Sequence, residues 1–296
     1  MKRDTIISLG EWTLLAAGAL YLPLGMGFGS GSFGELVVMR LCIGGVMALG
    51  LYFSAVYAGL LSLGQGAFMA IGAYGAAVCL RGGAPLPLAA LCGLGLCGLA
   101  ALGLGWAVLG LKGDYLSMAT MAFAEIVRAV LFHAPGLGGA SGLFGVPAFL
   151  SGAGAALALL FSCGALCLLM RTRFARRLRA VKNDEPAAES LGIPAKEYKT
   201  AAFVISAGFA GLAGVLFAGC GGFVTPFDFS FLRSMDTVAA VVLGGMGAPV
   251  GCLAASAAIE LSAVGLQSVS WVRMVIYGLG LIGAVRFLHG REKRQG

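Results

Sequence analysis

Charge is what this sequence has least of. Asp, Glu, Lys and Arg make up 11% of its 296 residues, less than half of the roughly 25% found in an ordinary soluble domain. With 59% hydrophobic residues and a mean hydropathy of +0.94, that shortage excludes a soluble interaction module. It implies an all-α, polytopic helical membrane protein, because a chain in lipid must satisfy its backbone within helices. Histidine occurs twice only, which with scattered carboxylates disfavours a proton relay. No G-x-x-x-x-G-K-[ST] is present, so the chain has no loop of that kind to cradle ATP phosphates. A serine elbow and H-E-x-x-H are missing too. No catalytic residue is assigned and the chain is not expected to be an enzyme. If ATP energises it, the ATPase is another polypeptide.

The eight cysteines include no C-x-x-C pair and lie almost entirely in apolar spans. They read as small packing residues rather than metal ligands, although Cys163 and Cys167 share a helical face. Lys2 and Arg3 resemble the start of a signal peptide, but the run from Trp12 to Phe28 meets no small-residue cleavage site before polar sequence. A cleavable signal is therefore not expected. Net charge is +7, yet it gathers in one loop and at the termini, which points to cytoplasmic flanks and away from nucleic acid.

That loop, Arg171 to Lys199, is the one long charged run. It holds Arg171, Arg173, Arg176, Arg177, Arg179, Lys182, Lys196 and Lys199, with Asp184, Glu185, Glu189 and Glu197 among them. Such a segment belongs in water, and its Arg and Lys place it on the cytoplasmic side. Arg173 to Val181 reads as a basic helix continuing the span before it. Asn183-Asp184 is a capping signal, with Glu185 and Pro186 in the first turn of a short helix from Ala187 to Leu191 that Gly192 and Pro194 stop. The bland alternative is a solvated topogenic loop.

Apolar runs mark spans at 12–29, 36–60, 62–80, 85–111, 115–132, 150–170, 200–224 and 270–289, with a long stretch at 234–264. In the third, Gly64, Gly66, Ala70 and Gly72 suit close helix contact. The Gly- and Pro-rich loop after 132 shows no periodicity. Both basic termini and the charged loop are cytoplasmic only if 234–264 is two crossings, broken at Gly244-Gly245-Met246-Gly247-Ala248-Pro249. The reading is one transmembrane domain over 1–296 with about ten crossings, a broken or re-entrant helix pair at 234–264, and both ends cytoplasmic. Ionisable residues inside spans are function candidates. Glu125 and Arg128 sit three apart and form either an internal ion pair or part of a pathway. Asp236 and Glu260 either cap helices or line a vestibule.

The run from Arg179 through Asp184, Glu185, Ala187, Ala188 and Gly192 to Ile193, followed by Lys199 to Gly214 (KTAAFVISAGFAGLAG), resembles the permeases of branched-chain amino acid ABC importers, in their second, LivM-like subunit. Ser62-Leu63-Gly64, Gly113-Asp114-Tyr115, Glu125-Ile126-Val127-Arg128 and Val242 to Gly247 extend the resemblance over about 36–289. It implies that Arg179, Asp184, Glu185, Ala187, Ala188 and Gly192 form the segment that couples to an ATPase. It also implies that Gln65, Phe68, Thr120, Phe123, Glu125, Gly244 and Gly245 are the candidates along the solute's path. Glu185 stands one place before the family's usual glutamate, with Pro186 in that position, and Gln65 stands where histidine is frequent; the family's arginine-proline tail is absent. The implied partners are a homologous permease, two ABC ATPases carrying Mg-ATP, a periplasmic solute-binding protein and the bilayer of a bacterial inner membrane. The chain itself needs no cofactor. The implied solute is a branched-chain amino acid; urea, short amides or other amino acids are alternatives, and a stand-alone secondary transporter or channel is a more distant one.

Overall fold

A computed structural model describes residues 33–110, 114–245 and 248–265. The expected spans at 12–29 and 270–289 lie outside them. The described helices are α1 (Phe33–Phe53), α2 (Gln65–Arg81), α3 (Leu86–Val108), α4 (Asp114–His133), α5 (Gly152–Arg171), α6 (Arg173–Asn183), α7 (Glu185–Ser190), α8 (Ala195–Gly221), α9 (Phe231–Gly244) and α10 (Pro249–Gly265). Five of them are long and apolar enough to cross a membrane, α1 being extended to Ala58 by a π-helical turn.

Side-chain contacts fix the direction of each. Met39 meets Cys220 and Gly50 meets Phe209, so α1 and α8 are antiparallel. Cys97 donates to the Ala207 carbonyl at 3.0 Å while Gly105 faces Phe203 and Thr200, which sets α3 antiparallel to α8. Gln65 bonds Ser206 and Gly72 packs on Gly211, so α2 runs with α8. The α1–α10 contacts Gly44–Glu260 and Ala48–Cys252 are antiparallel. Among the described residues α1, α2, α3, α4, α5, α8, α9 and α10 thus make eight alternating passes between two ends of the molecule. The chain from Phe231 to Gly265 forms two helices, α9 and α10, with Gly245 at φ +78° just after the first. α9 has 14 residues, about 21 Å of rise against a hydrocarbon core of about 30 Å.

Glycine lets the helices touch backbone to backbone. A Cβ on Gly72 would collide with the Gly211 carbonyl, and one on Gly214 with the Met69 carbonyl. The small-residue interval read in the third span is therefore a helix–helix seam. One contiguous apolar core, centred on α1, α2 and α8, unites the spans.

Three boundaries differ from expectation. α6 does not continue α5: Thr172, extended at ψ 158°, separates them and caps α6 by accepting from Ala175 N at 3.3 Å. α8 begins at Ala195, so Lys196, Glu197 and Lys199 belong to its first turns rather than to a loop. The loop after α4 is not structureless. It makes two 3₁₀ turns and a strand, β1 (Leu143–Phe144), antiparallel to β2 (Phe223–Val224). This ribbon marks one end of the molecule, and α6 and α7 mark the other.

Candidate functional site

At the end opposite the ribbon, α6 and α7 form a knob braced on two spans. α6 turns Ala175, Leu178 and Val181 inward and its basic residues outward. Lys182 donates from Nζ to the Val56 carbonyl at 2.9 Å and to the Ala55 carbonyl at 3.4 Å. Those oxygens lie in the π turn of α1, where carbonyls need outside partners. The Arg179 guanidinium lies 4.3 Å from the centroid of the Tyr57 ring, a cation–π contact. Rings continue the brace: Tyr57 on Phe53, Phe53 on Phe174, and Phe174 on Tyr198 of α8 at 5.3 Å. Arg177 reaches the Tyr198 hydroxyl at 2.8 Å. The knob, α1 and the start of α8 are thereby tied together.

The cap falls at Asp184 as read, but the short helix runs from Glu185 to Ser190 rather than from Ala187 to Leu191. Asp184 is the N-cap of α7, accepting from Ala187 N at 3.1 Å, with Glu185 and Pro186 in the first turn. α7 ends at Ser190, and Gly192 turns the chain in the left-handed region at φ +78°. Glu185 pairs with Lys199 at 2.5 Å, joining α7 to α8. The six candidate coupling residues divide by direction. Ala187 and Gly192 are exposed, as is Leu191 at 80%. Ala188 faces inward onto Val181, Ala195 and Ile193, a small core separate from the main one. Arg179, Asp184 and Glu185 make internal contacts that shape the knob.

The candidate pathway residues also divide. Gln65, Phe68, Thr120 and Phe123 come together where α2 begins deep among the spans. Gln65 donates to Ser206 Oγ at 2.9 Å, while its Oε1 is buried with no partner among the described residues. Gly66 N donates to Ser234 Oγ at 2.9 Å, and Leu63 N to Thr120 Oγ1 at 3.0 Å. The Phe68 ring lies between Phe123 at 5.7 Å and Phe203 at 5.5 Å. The result is a polar hub closed by aromatic rings. Glu125 stands apart, paired with Arg128 at 2.6 Å and about a third exposed. Gly244 packs against Gly251 and Cys252, so it serves the α9–α10 seam, with Gly245 as the hinge beside it.

Sequence reading missed several partners. Lys182, Tyr57, Phe174 and Tyr198 carried no motif, and only the fold brings them together. The sequence singles out Glu260 but not Arg233. The two form an ion pair at 2.5 Å, with side chains 17% and 8% exposed. Arg233 lies three residues before Asp236, and an Arg so close to a span start was the available signal.

Alternating apolar passes, a broken helix pair and a braced polar knob at one end define a multi-pass membrane protein of the transport-permease kind. The chain belongs to the branched-chain amino acid transport system / permease component family, whose pattern matches residues 35–285. It is 33% identical over 273 residues to the high-affinity branched-chain amino acid transport system permease protein LivM of Escherichia coli (strain K12), covering 79% of this chain and 63% of that protein. The LivM protein of Salmonella typhimurium is 34% identical over 275 residues, with the same coverage. The chain thus spans a little under two thirds of the length of these relatives. The autoinducer 2 import system permease protein LsrC of Salmonella typhi is 31% identical over 129 residues, 40% of this chain and 37% of that one. A solved ABC transporter chain in an inward-facing conformation covers 96% of this chain at 14% identity, with a TM-score of 0.46, too loose a likeness to argue from.

Proposed function

We propose that this chain is a permease subunit of an ATP-driven importer that moves branched-chain amino acids across a bacterial inner membrane by alternating access. The knob end faces the cytoplasm with both termini, and the ribbon end faces the periplasm. The chain has no enzymatic activity of its own. Two ABC ATPases bind and hydrolyse Mg-ATP, a homologous permease completes the pathway, and a periplasmic binding protein delivers the solute.

The observation that carries this reading is the construction of the knob. It presents Ala187, Leu191 and Gly192 outward while Lys182, Arg179 and the Phe53–Phe174–Tyr198 rings tie it to α1 and α8. A push on α7 is passed to both spans. Each closure of the ATPases must favour one arrangement of the spans over the other, since equal binding to both would shift nothing. The relatives named for branched-chain amino acid transport support the solute class.

The test is ATP-driven uptake of labelled leucine, urea and glutamate by the reconstituted complex, with Gly192→Leu as the variant. Leucine uptake in the wild type and its loss in the variant are expected. Urea or glutamate as the transported solute would overturn the substrate, and undiminished uptake in the variant would overturn the knob's role.

A further inference from the structure

A cavity of about 240 Å³ opens near the ribbon end, walled by α1, α8, the Pro226–Phe229 turn, α9 and α10. Five ionisable side chains line it: Arg40, Asp228, Arg233, Asp236 and Glu260. Asp228 lies in the turn before α9, while Arg40, Arg233, Asp236 and Glu260 lie in helices, where ionisable groups are costly and mark candidate function. Arg233 and Glu260 neutralise each other. Asp228 spends Oδ2 on Thr225, accepting from its N at 3.1 Å and its Oγ1 at 2.7 Å, and its other oxygen takes no part in these bonds. Arg40, exposed on α1, makes no hydrogen bond or ion pair with the described residues. Phe217, Leu232 and Ala263 supply apolar wall.

The cavity therefore offers a guanidinium uncommitted among the described residues, carboxylates from the turn and from α9 and α10, and apolar wall beside them. Its volume lies just below the roughly 300–1,000 Å³ of pockets for drug-sized ligands, which suits a smaller solute. A guanidinium takes a carboxylate in a two-bond fork, and a primary ammonium donates to several carboxylate oxygens at once. A free α-amino acid carries both groups on one carbon beside its side chain. We propose that this cavity binds the zwitterionic amino acid directly, its carboxylate on Arg40, its ammonium toward Asp228 and Glu260, and its apolar side chain against Phe217 and Leu232. This rests on reading the chain as part of an amino-acid importer, and it adds a recognition step within the membrane to any made by a binding protein.

The test has two arms. In the first, the complete reconstituted importer is assayed for ATP-driven leucine uptake. In the second, tritiated leucine binds the permease–ATPase complex in nanodiscs without binding protein, in competition with 4-methylpentanoate, which lacks the ammonium, and leucinamide, which lacks the carboxylate. Both analogues are expected to compete at least tenfold more weakly than leucine in the wild type. Arg40→Gln is expected to weaken leucine binding at least tenfold, with Arg40→Lys recovering part of it. If the wild type imports leucine but one-charge analogues compete equally, or Arg40→Gln binds as the wild type does, the cavity's role is overturned and the importer reading stands. If no amino acid is imported, both fall. The competition in the wild type keeps the proposal falsifiable even if the variants do not assemble.

Discussion

Lys182 and Val56 are 126 positions apart in sequence, yet the lysine ammonium sits 2.9 Å from the valine carbonyl oxygen. That bond closes the open end of a π turn and fixes the basic helix to the first described span. It is the most direct connection between the exposed knob and the spans.

Replacing Lys182 with Met keeps the aliphatic stem and removes the donor. The lost bonds are charge-assisted but reachable by water, so the expected cost to stability is only about 1 kcal/mol. The larger effect is on transmission. Uptake per ATP hydrolysed should fall severalfold while the complex still assembles, and Lys182→Arg should retain most of the coupling. The uptake-to-hydrolysis ratio in proteoliposomes checks this; an unchanged ratio removes Lys182 from the transmission route.

Gly72 and Gly214 define the tightest seam, where α2 and α8 meet carbonyl against Cα. Gly72→Val should cost more than the 1–3 kcal/mol typical of overpacking, about 3 kcal/mol or beyond, because backbone rather than a movable side chain must yield. Gly95 in α3 faces open space, so Gly95→Ala should be neutral or stabilising by up to about 1 kcal/mol. Thermal unfolding in detergent, followed by size exclusion, separates the two. Equal melting temperatures for both variants would refute the seam.

Part of this structure is legible in the sequence. Composition separated spans from the charged run, and the Gly244–Pro249 cluster marked the helix break because glycine and proline act locally. The Asp184 cap was legible for the same reason: a side chain bonding its neighbours three residues on leaves a local signature. The ribbon was not legible, since Leu143–Phe144 and Phe223–Val224 are too short to show alternation and pair across 80 residues of chain. Nor was the inward turn of Ala188, which depends on where α6 and α8 pass. The Tyr57–Arg179 and Phe174–Tyr198 contacts exist only once three helices converge. Gln65 stood out by resemblance alone, and its bond to Ser206 again needed the fold.

Leu191 is 80% exposed at the tip of the knob, next to the left-handed Gly192. A large apolar side chain held in water by a capped helix is suited to a partner's groove. Leu191→Asp should abolish co-purification of the ATPase subunits and leave membrane insertion and thermal stability as they are. Ala188→Leu, by contrast, overfills the small core with Val181 and Ala195 and should unfold the knob itself. Pull-down of the ATPases alongside limited proteolysis of residues 171–199 distinguishes a lost contact from a lost fold. If Leu191→Asp binds the ATPases normally, the docking face lies elsewhere on the knob.

Arg233 and Glu260 offer the clearest energetic test, because their pairing at 2.5 Å in a largely buried setting makes removal of one partner different from removal of both. Glu260→Met leaves a guanidinium without its counter-ion among the spans, and Arg233→Met leaves a carboxylate so. Each single change should cost about 3–5 kcal/mol. The double variant replaces two charges with side chains of similar length and should recover most of that loss, ending within about 1 kcal/mol of the wild type. Glu260 also lies against Gly44, where even a Cβ would come within 2.7 Å of its Oε1. Methionine is therefore chosen for its flexibility over a branched residue that would crowd α1. The measured quantity is the coupling in a four-way thermal unfolding cycle on the assembled complex. Strong coupling with a stable double variant makes the pair a mutual neutraliser, whose charges matter for what the cavity binds rather than for holding α9 to α10. Additive losses would mean that each residue is anchored separately, and the mutual-neutraliser reading of the pair would fall.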